Sequence, residues 1–273
     1  MFETRRKQTT SQAAAGLLSV IYHATVRKVR KSHGNALIGL LLNITQLLVL
    51  VAVFYVMMSI LGLRGSVVRG DFMIYIMSGI FLFLTHTKAL GAVVGSEGPA
   101  SPMMLHAPMN TFVAITSSAL AALYIQVLSA AVVLFGYHVG VKPIEIDQPF
   151  GVIGMFLLAW FSGVSIGMVF LALKPWAPNF VSIGSMIYSR ANMIASGKMF
   201  LANTLPASKL ALFSWNPLFH CIDQARGFAF INYNPHFSDY TYAIKLSLAL
   251  LMIGLMGEFY TRKNASLSWS ARQ

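Results

Sequence analysis

Five long apolar stretches and one weaker one mark out this chain, each close to the roughly 20 residues that a helix needs to cross about 30 Å of hydrocarbon. They predict membrane spans at about 36–61, 72–94, 111–137, 150–173, 179–197 and 242–260. The fifth carries Arg190, Asn192 and several serines; it is retained because the other five alone would send the basic tail to the opposite side from the basic N-terminus. Composition agrees with the pattern. Of 273 residues 56% are hydrophobic and 10% charged, where soluble chains carry about 25% charged residues, so a water-soluble globule is excluded. The expected fold class is all-α: a polytopic membrane protein of six transmembrane helices.

Charge then sets the orientation. Arg5, Arg6, Lys7, Arg27, Lys28, Arg30 and Lys31 precede the first span, and Arg262, Lys263 and Arg272 follow the last. Six helices put both ends on one side, and the cation excess makes that side cytoplasmic. The 20 Lys and Arg against 8 Asp and Glu, a formal +12, are explained by topology and anionic lipid rather than by nucleic acid. The first apolar run begins near Ala36 behind a long basic segment, which does not fit a cleavable signal peptide. Three regions are expected: a cytoplasmic N-terminus at 1–35, a membrane domain at 36–262 and a cytoplasmic tail at 263–273. With no long polar domain, soluble work such as nucleotide hydrolysis falls to another chain. Cys221 is the only cysteine, so no internal disulfide forms.

Three segments between or before the spans have their own character. In 11–33, Leu18, Ile21, Tyr22, Thr25 and Val29 recur at helical spacing, while His23, Arg27, Arg30 and Lys31 cluster opposite. This fits an amphipathic helix lying in the membrane interface, or a plain positive-inside anchor. Gly95 to Asn110 holds Pro99, Pro102 and Pro108 without a Lys or Arg. Ser101 is placed to cap a short helix begun by Pro102, presenting Met103, Met104 and Leu105 to a partner's groove; a tight turn against its own bundle is the alternative. The stretch 198–241 is too long for a hairpin and too polar to span. Half-inserted helices that enter from outside and return fit it, provided that protein or a wet cavity shields their turns.

Reactive chemistry is sparse. All eight carboxylates fall in loops or near span ends, which leaves a proton relay little to be built from. The histidines never take a two-His metal spacing, and no phosphate-binding glycine loop occurs. Arg190 and Lys88 are the cations at span depth. Lys88 is expected to snorkel or to meet Asn43 or Gln46; Arg190 is expected to meet an anionic substrate or the outer segment. Tyr55, Tyr75, Tyr124 and Tyr188 offer flat faces for a sugar chain, or core packing.

Ala195-Ser196-Gly197 with Met199-Phe200, Leu205-Pro206, the run Trp215-Asn216-Pro217-Leu218-Phe219-His220, then Asp223 and Arg226, resemble the pattern before the last helix of type-2 ABC exporter permeases. The branch most resembled exports capsular polysaccharide, O-antigen and teichoic acid. Arg190 ahead of the Ser-Gly pair and the Gly254–Arg262 region suit it too. The layout agrees along the whole chain, and the motifs agree within about 190–262.

The resemblance implies a permease subunit, not itself an enzyme, in a bacterial inner membrane. It pairs with a second copy of itself and with two ATP-binding cassette subunits that carry MgATP; this chain holds no cofactor or metal. Its cargo is a lipid-linked polysaccharide, with periplasmic export proteins as further partners. Glu97, Ser101, Pro102, Met103, Met104, Leu105 and His106 are implied to form the coupling loop, and Tyr22, Arg27, Lys28, Arg30 and Lys31 the working face of the interface helix. Segment 198–236 is implied to be the outer re-entrant pair. Arg190, Trp215, Asn216, Pro217, His220, Asp223 and Arg226 would line the outer gate and substrate path, with an ion pair among Arg190, Asp223 and Arg226. The departure is a coupling loop whose one basic residue is His106, where capsule permeases often have more. Competing functions are a type-2 permease for a small hydrophobic drug or lipid, and an ion-coupled carrier or intramembrane enzyme.

Overall fold

A computed structural model describes residues 10–31, 36–60, 62, 71–98 and 110–264. Among them are nine α-helices and no strand. They are α1 (Thr10–Lys31), α2 (Ala36–Ile60), α3 (Phe72–Val94), α4 (Thr111–Gly140), α5 (Pro149–Leu173), α6 (Pro178–Ala195), α7 (Ala207–Phe213), α8 (Pro217–Ala229) and α9 (Tyr240–Asn264). Five of these, α2, α3, α4, α5 and α9, are long and apolar enough to cross a membrane, so the chain is a multi-pass membrane protein. The polar residues of α6 keep it out of that group.

Local chemistry fixes the helix ends. Asp71 accepts the Met73 N–H at 2.9 Å and starts α3; Asn110 accepts the Phe112 N–H at 3.0 Å and starts α4. Pro149, Pro178 and Pro217 occupy first-turn positions, where the missing N–H costs nothing. Asp71 also receives Tyr137 Oη at 2.6 Å and pairs with Lys142 at 3.1 Å. Burial pushes its carboxyl up, but the bonds from Tyr137, the Met73 N–H and Lys142 together hold it below the ordinary carboxylate range.

The core lies around α3 and α5. Hydrocarbon offers no hydrophobic drive between helices, so close packing of small residues must supply it. Gly163 and Gly167, one turn apart on α5, face α3. A methyl group at Gly163 would stand 2.3 Å from the His86 carbonyl oxygen, and one at Gly167 would stand 2.9 Å from Val93 Cβ. Gly254 of α9 approaches Met168 of α5 in the same way, at 2.6 Å. Fifteen residues of α3 are buried, whereas α2 and α9 turn Leu41, Leu48, Val56, Met252 and Met256 outward.

Helix α1 lies along α4, but not with the face that its pattern suggests. Ile21 is buried, yet Leu18 and Tyr22 are 67% and 64% exposed. Lys28, at the edge of the apolar stripe beside Ile21 and Thr25, turns inward and donates to the Ala114 carbonyl at 2.8 Å and to Ser118 Oγ. The apolar stripe is thus divided between α4 and the exterior.

Replacing Gly163 with Ala drives a methyl group into the α3 backbone, which has no flexible end to give way. The expected loss is about 1–3 kcal/mol, read as a lower thermal midpoint in detergent. Ala at Gly136, whose surroundings are open, is expected to leave the midpoint unchanged.

Candidate functional site

Helix α6 stops at Ala195, and the chain reverses through Gly197, the glycine that ends the helix with φ +73°. Only glycine fits: a Cβ would stand 2.7 Å from Phe219. The carbonyls freed by this break are collected by side chains of the next long segment. Asn216 donates to Asn192 Oδ1 at 2.7 Å and to the Ala195 carbonyl at 3.0 Å, while its own oxygen accepts the Leu218 N–H and starts α8. Arg226, fully buried, donates to the carbonyls of Gly197 (2.9 Å), Phe200 (2.7 Å) and Lys198 (2.6 Å). Its guanidinium lies over the Tyr75 ring at 4.0 Å. Gly79 of α3 makes the room, since a methyl group there would meet Arg226 at 2.8 Å.

Asp223, one turn earlier on α8, does not pair with Arg226. Its oxygens accept Tyr233 Oη at 2.5 Å, Ser238 Oγ at 2.7 Å and the Ala202 N–H at 3.3 Å. The expected ion pair among Arg190, Asp223 and Arg226 is therefore replaced by two separate centres, each neutralised by dipoles. Arg190 belongs to neither. It is exposed on α6, on the same side as Ile183, Met186, Ile187 and Ile194, all exposed.

His220 accepts the Asp239 N–H at Nδ1 (3.0 Å) and so donates from Nε2 to the Ser214 carbonyl (2.7 Å). Burial pushes its pKa down, in keeping with this neutral form. Trp215 is exposed and, with Tyr188, Pro217 and Tyr242, lines an apolar groove of about 450 Å3 between α5, α6, α8 and α9. Tyr188 also donates to Nε2 of the buried His86 at 3.1 Å, and His86 Nδ1 donates to Ser162 Oγ at 2.9 Å, tying α3, α5 and α6 together. Tyr75 is buried in the core, Tyr55 is half-buried and Tyr124 is exposed.

A second site lies at the other end of the bundle. A cavity of about 670 Å3 between α1, α2, α3 and α4 is lined by Arg27, Lys28, Lys88, Asn43, Gln46 and Glu97, among others. Lys88 donates to Gln46 Oε1 at 2.8 Å, one of the two contacts anticipated for it. Arg30 is exposed, Lys31 ends α1, and Glu97 is exposed near the edge of the described residues. Ser101, Pro102, Met103, Met104, Leu105 and His106 lie outside the described residues.

Sequence reasoning missed Lys198. It is 2% exposed, its amine has no hydrogen-bond partner among the described residues, and it sits over Phe83 at 3.7 Å and Phe54 at 4.6 Å. Burial holds its pKa down to about 8. A lone lysine directly after the Ser-Gly break was the available signal. No protein-family model matches this chain, and no curated protein matches it.

Arg226→Ala is expected to fail first in folding, because each carbonyl left without a partner costs roughly 1–3 kcal/mol. Arg226→Lys is expected to recover only part, since one ammonium cannot replace the planar fork. Thermal midpoints and membrane levels of the two variants check this.

Lys198 gives a pH dependence of definite sign. Between about 8 and the ordinary lysine value the unfolded chain keeps a proton that the folded one has released, so stability rises with pH across that window. Lys198→Met is expected to raise the thermal midpoint at pH 7, and its advantage over the parent should shrink towards pH 10.

Proposed function

We propose that this chain is the permease subunit of a type-2 ABC exporter, and that its cargo is a lipid-linked polysaccharide such as a capsular polymer. The observation that carries the reading is the return of α8 into the bundle after the exposed α7. Helix α8 starts beside Asn192 and Ala195 and ends where Phe228 and Ala229 accept the N–H groups of Gln148 and Asp147. It packs against α3, α5 and α9 on the way. That path is one of a helix entering from outside and coming back, its broken backbone shielded by protein. Helix α6, about 27 Å long at 18 residues, is then the short sixth span, and the cation excess keeps both termini cytoplasmic. The membrane is the bacterial inner membrane.

In this reading two copies of the chain meet, and the exposed face of α6 around Arg190 is the natural place for a partner. Two ATP-binding cassette subunits dock at the loop that follows α3, with Glu97 at its start. Force on that loop moves α3, and α3 carries His86, bonded through Tyr188 to α6, and Tyr75, stacked on Arg226 of α8. Closure of the ATPase pair would thus reach the outer helices through one rigid rod. The aromatic groove of Trp215, Tyr188 and Tyr242 offers apolar faces with polar edges, which suit sugar rings. The lipid anchor stays in the bilayer throughout.

The test removes the chain from its host and asks what accumulates. A lipid-linked polysaccharide held inside the cell, released again by the parent chain together with its ATPase partner, is the expected result. Transport by the purified chain alone in liposomes, or no retained polymer, would overturn the reading.

A further inference from the structure

The cation-lined cavity at the α1 end has a feature that a purely polar cleft lacks. Its walls include Leu42, Ala121, Ala122 and Ile125. Leu42 is exposed on α2 beside the exposed Leu41 and Ile38, so the cavity opens along a flank of a membrane-crossing helix. Charge in it is one-sided: Arg27, Lys28 and Lys88 against Glu97. Lys28 is engaged with α4 through Ala114 and Ser118. Lys88 lies six residues before the end of α3 at Val94, about 9 Å along the axis, where an ammonium is costly without an acceptor. It has three donors, and Gln46 takes one of them.

We propose that this cavity binds an anionic glycerophospholipid of the leaflet in which α1 lies, its phosphate held between Lys88 and Arg27 and its chains leaving past Leu42. A charged head with an apolar body satisfies both kinds of wall. Inorganic phosphate would meet the cations alone, and phosphatidylcholine would bring its own ammonium among them. A cargo lipid does not fit, because its sugar chain needs a way onward. In the cavity wall Asn43 donates to Ser129 Oγ at 2.8 Å and accepts from Gln126 at 3.1 Å, which joins α2 to α4 and leaves a polymer no passage between them there. The occupant is a resident lipid that clamps α1 to α2, α3 and α4. This holds whether or not the chain exports a polysaccharide, and the test below reads no transport.

Delipidated full-length chain is titrated with phosphatidylglycerol or phosphatidylcholine in mixed micelles, and bound lipid is counted by native mass spectrometry. The expected result is one saturable phosphatidylglycerol, held at least tenfold tighter than phosphatidylcholine. Lys88→Gln is expected to weaken it about tenfold, one charged hydrogen bond to phosphate being worth that much. Arg27→Gln, a change at an exposed side chain, is expected to weaken it several-fold and serves if Lys88→Gln does not fold. Lys209→Gln, an exposed charge of the segment before α8, should leave binding intact. Equal affinity for the two lipids, an equal effect of Lys209→Gln, displacement by inorganic phosphate at matching concentration, or one-for-one displacement by lipid-linked polysaccharide would each overturn the proposal.

Discussion

A helix that ends buried within the protein leaves carbonyls that cannot turn to water, and the part of this protein around Ala195 is organised around that constraint. Helix α6 ends at Ala195, and its unpaired oxygens, with those of the reversal that follows, are taken by Asn216 and Arg226. Both belong to the start or body of α8, so satisfying α6 fixes where α8 must lie. The position of α8 in turn demands Gly79 on α3, a turn at Gly197 that only glycine makes, and Tyr75 beneath the guanidinium. One electrostatic requirement thus sets the placement of three helices and a reversal.

Burying Arg226 without a carboxylate is affordable because carbonyl dipoles meet both of its Nη groups, Nε alone having no partner among the described residues, and an aromatic face covers its plane. Asp223 is handled by the inverse device, two hydroxyls and an N–H pointing at it. A direct pair of the two would have left those carbonyls and hydroxyls without partners, so separate solvation by dipoles leaves fewer groups unmet. Lys198 has only ring faces, and its lowered pKa records the difference.

The spans were legible because lipid imposes a length and a composition: α2, α3 and α5 begin and end within a residue of the apolar runs. Asn216, Pro217, Asp223 and Arg226 were legible as a cluster, since polar residues at fixed spacing in an apolar context carry meaning. Their partners were not. Arg226 binds backbone oxygens, which every sequence has, so nothing in residue identity marked Gly197, Lys198 and Phe200 as acceptors. The α3–α5 contact hid for a related reason: glycine is informative only once the opposing backbone is known to lie 2.3 Å from its absent methyl. Arg190 stands apart from Asp223 and Arg226 because proximity in sequence to a motif does not fix a helix face. It shares its side with Ile183 and Ile187, whereas Tyr188 and Asn192 turn inward.

Burial divides the helices mechanically. Most of α3 is enclosed, and it touches α2, α4, α5, α6 and α8, so it cannot shift without moving them. Helices α2 and α9 keep much of their surface outward, where lipid yields easily. The link from α3 to α6 is the hydrogen bond of His86 with Tyr188, while its link to α5 is close glycine packing together with the bond of His86 to Ser162. Packing of that kind resists separation at every point along the seam, but one hydrogen bond can slide or break at modest cost. If the bundle has two arrangements, α3, α5 and α8 move as one body, and α6, tied to α8 at Asn192 and Ala195 through Asn216, follows at that end while its contact with α3 at Tyr188 is the one that gives.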